Sequence, residues 1–164
     1  MKNLNDLLNQ ALEKCDAVGI PYGKITEIKL NNRLSRAWGR CLTKNHSEFW
    51  IEIQGKFAKD EFSTNEQVIA VICHEIIHTC DGCWNHGYKF MQYGKLLTDA
   101  YGIKVSTTDT AENLTVDSIS WEKSKRYAVK CNCRTLYKDR MIDIIKHPDW
   151  YICSSCKGKF ERIK

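Results

Sequence analysis

The stretch Val71-Ile-Cys-His-Glu-Ile-Ile-His78 decides how this chain is read. Val68, Ile69, Val71, Ile72, Ile76 and Ile77 recur at helical spacing. Ser63 or Thr64 can cap that helix, with Glu66 or Gln67 three residues on to complete a capping box. The pattern runs to about Cys80 and stops at Asp81-Gly82. Residues four apart on a helix differ by about 40° around its axis, so His74 and His78 share one side. Two neutral imidazoles so arranged can bind one Zn²⁺ at about 2.0–2.1 Å. Glu75, next to the first of them, is suited to take a proton from a water at the metal's open position and pass it to a leaving amine. The metal would lower the pKa of that water toward about 7 and polarise a carbonyl.

A catalytic zinc normally has three protein ligands. A third histidine six residues after His78 would fall on Trp84, so that spacing fails. His86 stands eight residues after His78, beyond the Asp81-Gly82 break, where a turn can swing it back. Asp99, 21 residues after His78, is the alternative. The neighbouring Cys80-x-x-Cys83 lacks the βαβ setting of a redox pair, and its thiolates would close the open position, so local packing is expected.

Upstream, Leu4, Leu7, Leu8, Ala11 and Leu12 predict an amphipathic helix over residues 3–17, broken by Gly19, Pro21 and Gly23. Ile25–Leu30 and Phe49–Ile53 alternate as strands, with Ala37–Leu42 as a strand partner and Lys44-Asn45-His46 as a turn. Downstream, a second helix is expected from His86 to Ala100, ended by Gly102. Residues 104–120, rich in Thr, Ser and Asp, read as an irregular boundary. Two domains follow: a core over 1–120 and a smaller β-type unit over 121–164.

The chain has 164 residues and nine cysteines. Cys131-x-Cys133 and Cys153-x-x-Cys156, with 19 residues between them, have the spacing of a four-thiolate zinc site. Cys73, in an apolar run, reads as a core residue. No apolar run reaches the roughly 18–20 residues of a membrane span, and the N-terminus lacks a signal-type apolar region. A soluble, cytoplasmic protein without a membrane partner is expected.

Residues 1–120 hold 13 Lys/Arg against 15 Asp/Glu, whereas residues 121–164 hold 12 against 5, so the net positive charge belongs to the last quarter. A second basic cluster runs through Lys24, Lys29, Arg33, Arg36, Arg40 and Lys44. Such patches attract polyanions. Arg33, Arg36, Arg40, Lys123, Lys125 and Arg126 are the candidate nucleic-acid contacts. Trp121, Tyr127, Tyr137, Trp150 and Tyr151 lie among basic residues and could stack on unpaired bases. For Trp150 and Tyr151 a place in the small core is the preferred reading.

The zinc-helix segment followed by His86-Gly-Tyr-Lys-Phe90 resembles the SprT-like zinc metalloproteases, the group that includes Spartan. Ser35-Arg-Ala-Trp-Gly-Arg-Cys41 and Ile51-Glu-Ile53 look like the family's upstream Arg-x-x-Gly β segment, and Tyr151–Lys159 looks like its terminal zinc ribbon. The first cysteine pair departs from the ribbon's usual Cys-x-x-Cys. The resemblance covers roughly residues 25–163. It implies an α+β fold: a zincin-like metalloprotease core of helices on a small sheet, with a C-terminal zinc-ribbon-like β subdomain. It also implies a catalytic zinc on His74, His78 and His86, Glu75 as base and acid, and a structural zinc on Cys131, Cys133, Cys153 and Cys156. The expected substrate is a protein bound or crosslinked to DNA, single-stranded or distorted. The alternative is a non-catalytic nucleic-acid-binding ribbon protein on a protease-like scaffold. A zinc amidase or peptidase acting on small substrates without DNA is a third reading.

Overall fold

A computed structural model describes residues 2–35, 37–105, 125–138 and 140–164. The chain divides into two compact units, Met1–Val116 and Asp117–Lys164. The expected boundary at residues 120 and 121 lies outside the described residues, as do most of 104–120 and Trp121. The architecture is mixed α and β, and no helix among the described residues is long and apolar enough to cross a membrane.

In the first unit, helix α1 spans Leu4–Ala17, its N-terminus capped by the Asn3 side chain. Strands β1 (Lys24–Asn31), β2 (Gly39–Thr43) and β3 (Glu48–Gln54) form one sheet in the order β1-β3-β2. The strand expected between the other two in sequence therefore lies at an edge in space. β2 returns onto β3 as an antiparallel hairpin, whereas β1 pairs β3 in parallel. The hairpin turn is built by Asn45, whose Oδ1 accepts from the Glu48 N–H at 3.1 Å, and by His46 at φ 58. Phe49, Ile51 and Ile53 are buried on one face of β3, and Glu52 and Gln54 on its other face are buried as well.

Helix α2 (Asn65–His78) opens with the Thr64/Gln67 capping box, settling which of the two candidate caps is used. It ends two residues before the expected Cys80. All ten residues from Val68 to Ile77 are buried, so α2 is the central helix of the unit and not a one-sided amphipathic one. Eight of those ten are apolar or Cys; the other two are His74 and Glu75. Burying an imidazole and a carboxyl is costly unless they are partnered or used. Helix α3 spans Tyr88–Tyr101 and is closed by Gly102 in the left-handed region at φ 69. Its buried face is Phe90, Gly94 and Leu97.

The second unit is a three-stranded antiparallel sheet, β5-β4-β6, made of β4 (Tyr127–Lys130), β5 (Thr135–Lys138) and β6 (Glu161–Arg162). A one-turn helix α4 (Asp143–Lys146) and a 3₁₀ turn (Pro148–Trp150) precede the second cysteine pair. Its core is small: Val129, Ile145, Cys153 and Phe160, flanked by Tyr127, Leu136 and others.

Candidate metal centres

His74 and His78 sit one turn apart on α2, and both turn toward His86. His86 Nε2 lies 3.0 Å from His74 Nε2, and His78 Nε2 lies 3.1 Å from it. The second helix starts at Tyr88, so His86 comes from the loop before it and not from the expected helix start. That loop is folded by a turn in which the Cys83 N–H donates to the Cys80 carbonyl at 3.0 Å, with Gly82 at φ 74. Only a residue tolerant of positive φ allows this reversal without strain. The Lys89 ammonium donates to the Asp81 carbonyl at 2.7 Å and ties the turn to α3.

His78 Nδ1 is 2.7 Å from the Cys83 carbonyl oxygen, which can only accept. Nδ1 therefore carries the proton, and in the neutral ring Nε2 is left with its lone pair facing the other two histidines. Phe90, 1% exposed, backs all three rings, with centroids 4.7–4.9 Å from each. Three imidazoles converging on one point, with a second-layer acceptor and an apolar wall behind them, can hold a metal ion.

Glu75 is 3% exposed and points toward β2, where Gly39 lies against its carboxylate. Burial and the nearby Glu75 charge together push the half-buried Cys41 thiol, on the same strand, up to about 12. Asp99, the alternative ligand, is exposed and pairs with the Lys95 ammonium at 2.5 Å, away from the histidine set. Cys80 and Cys83 are buried and free, and neither joins a ligand set among the described residues. Cys73 is fully buried beside Cys15.

In the second unit, Cys131, Cys133, Cys153 and Cys156 form the other set that can hold a metal. Cys133 Sγ lies 3.7 Å from both Cys131 Sγ and Cys153 Sγ. The one-residue gap of the first pair is accommodated by a tight turn in which the Cys131 N–H donates to the Arg134 carbonyl at 2.9 Å. In the second pair, the N–H groups of Cys156 and Ser155 hold the Cys153 thiol down, to about 6. Backbone donors aimed at sulfur stabilise the thiolate that a metal needs.

The basic cluster on the first unit changes character in three dimensions. Lys24 pairs with Glu48 at 2.6 Å, Lys29 with Glu27 at 3.0 Å, and Arg40 with the mostly hidden Glu52 at 2.8 Å. Arg40 is exposed and shares its charge with Glu52 on the neighbouring strand. Arg33 is exposed at the end of β1, while Arg36 and Lys123 lie outside the described residues. Lys125 is half-buried and Arg126 exposed, immediately before β4.

Trp150 corrects the expectation of a core residue: it is 71% exposed and stacks on His147 at 4.1 Å and 11°. Tyr151 is 37% exposed, so it too lies outside the core. Tyr127 does pack on the core, with the Arg162 guanidinium 5.5 Å from its ring.

Sequence reasoning gave no role to three contributors. The Cys83 carbonyl is backbone chemistry and leaves no residue-type signal. Gly39 and Phe90 both stand in the quoted motifs, Gly39 in Ser35–Cys41 and Phe90 in His86–Phe90, but what each touches is decided by the fold. The sequence matches no protein-family profile and no curated protein.

Proposed function

We propose that the chain is a zinc-dependent endopeptidase of SprT-like type, with a zincin-like core and a zinc-ribbon-like second unit. The observation that carries this reading is a buried glutamate on the helix turn that also supplies two of three convergent imidazoles. Tetrahedral zinc with 2.0–2.1 Å bonds sets its nitrogen ligands about 3.3 Å apart. The 3.0 and 3.1 Å spacings of His86 and His78 from His74 are slightly shorter than this and compatible with such an ion. Zinc–sulfur bonds of about 2.3 Å correspond to sulfurs about 3.75 Å apart. The 3.7 Å separations among Cys131, Cys133 and Cys153 fit a structural zinc, with Cys156 completing the set.

Bound by the three histidines, a zinc ion supplies Lewis acidity toward a substrate carbonyl. Glu75 accepts a proton from the attacking water as the new carbon–oxygen bond forms, then delivers it to the amine as the carbon–nitrogen bond breaks. The Cys83 carbonyl and Phe90 keep the imidazoles oriented for that purpose. The second unit, with its net positive charge and the exposed Trp150–His147 stack, supports nucleic acid as a partner. Proteins held on DNA are then the substrate class that both units serve.

The test is Glu75→Gln in the zinc-loaded chain, assayed on an unfolded protein with and without single-stranded DNA. Loss of cleavage with unchanged zinc content and DNA affinity is expected. Identical behaviour of wild type and variant on every substrate would remove the enzyme reading and favour the non-catalytic nucleic-acid-binding one. Cleavage of small amides with no DNA binding at any salt concentration would point to the DNA-independent amidase instead.

A further inference from the structure

Gly39 opens β2 at the point where that strand passes Glu75. A Cβ built on it would stand 2.9 Å from Glu75 Oε1, 3.0 Å from Glu75 Cγ and 2.7 Å from Val71 Cγ1. No φ constraint is at work here; the demand for glycine is one of space alone. From it we infer that Gly39 is a positioning residue for Glu75: without a side chain, β2 packs directly on the carboxylate and holds it in one place. The inference rests on the peptidase reading given above.

The three atoms in the way are not equally able to yield. Val71 is β-branched and locked at χ1 within a helix. Its neighbours on α2 are buried on all sides, so the backbone there has nowhere to move. The carboxylate end of Glu75 is the softest of the three, because it turns about its terminal torsions. An added methyl group meets both side chains, and once Val71 is trimmed to alanine it is accommodated by swinging the catalytic carboxylate away from β2, while the fold and the histidines stay in place. Cys41, two residues along, lies on the same face of the strand. A displacement of about 1 Å at such a group can cost on the order of 100-fold in rate.

The experiment compares wild type, Gly39→Ala and Gly39→Ala/Val71→Ala as zinc-loaded full-length chains. Zinc content, kcat and KM on an unfolded protein substrate, and crystal structures of the metal-free forms are measured. The double variant removes the Val71 conflict and leaves only Glu75 in the path of the methyl group, so it also serves if Gly39→Ala alone folds poorly. The double variant is expected to keep full zinc content and a KM within about twofold, with kcat lowered about 100-fold, and Gly39→Ala to show at least the same loss of kcat. In the crystals, the Glu75 carboxylate should have turned away from β2. Wild-type kcat in Gly39→Ala, recovery of kcat in the double variant, loss of zinc from both, or an unmoved Glu75 would each overturn the assignment. A wild-type chain with no Glu75-dependent cleavage would end the peptidase reading instead, and the Glu75 position in the crystals would still judge Gly39.

Discussion

The Nδ1–H of His78 donates to the main-chain carbonyl of Cys83 across 2.7 Å, so the loop that delivers His86 also orients His78. Because the acceptor is backbone, Cys83→Ala should leave metal affinity at the histidine site unchanged. Gly82→Ala should not. An alanine at φ 74 costs about 1–2 kcal/mol and re-aims the following carbonyl. Competition against a chromophoric chelator should show zinc held about 10–100-fold more weakly in Gly82→Ala.

Among the described residues, the core cluster of the second unit is Val129, Ile145, Cys153 and Phe160, and Cys153 is also one of the proposed ligands. A core that small does not stabilise a domain without a staple. Chelation should therefore remove hydrogen-exchange protection from residues 127–130 and 161–162, while Val68–Ile77 in α2 keep theirs. Equal protection in β4 before and after chelation would show that the thiol cluster does not hold a structural metal.

Glu52 accepts from Asn31 Nδ2 at 2.6 Å and from Arg40 Nε at 2.8 Å, linking all three strands of the first sheet. Burial alone would raise this carboxyl, but those hydrogen bonds and the Arg40 charge outweigh it and hold it below its ordinary value. A depressed folded value means the stabilisation is complete above the unfolded value and disappears as pH falls through the folded one. Arg40→Ala should cost about 1–2 kcal/mol at pH 7, discounted because the guanidinium is half-exposed. Thermal melts should show that deficit shrinking below about pH 4. DNA affinity should be unaffected by the same variant.

Trp150 offers a face to solvent while its other side rests on His147. Stacking of one base on an aromatic ring contributes about 1–3 kcal/mol. Trp150→Ala should weaken binding of labelled single-stranded DNA by roughly 5–150-fold and leave the melting temperature unchanged. A lower melting temperature with unaltered DNA binding would return Trp150 to a packing role.

Much of the first unit was legible because its signals are local. The α2 cap, the one-turn spacing of His74 and His78, and the Gly102 stop all depend on neighbours in sequence. The strand runs were legible for the same reason. Their order was not, because parallel pairing of β1 with β3 depends on which faces the helices cover. Trp150 was placed in the core because so small a unit was taken to need large side chains to close it; it stands instead in a 3₁₀ turn beginning at Pro148 and is exposed.

By itself, the sequence determined the chemistry available: two imidazoles and a carboxyl on one apolar helical segment, two close thiol pairs, and a basic last quarter. These follow from residue type and short-range periodicity, which no later folding step can alter. Tertiary structure alone decided which groups meet. It brought His86, and not Asp99, to the other two histidines through a glycine turn, paired Arg40 with Glu52, and set Gly39 against Glu75. Each of those outcomes joins residues at least eight positions apart, where side-chain volume and backbone direction, and not local pattern, determine contact.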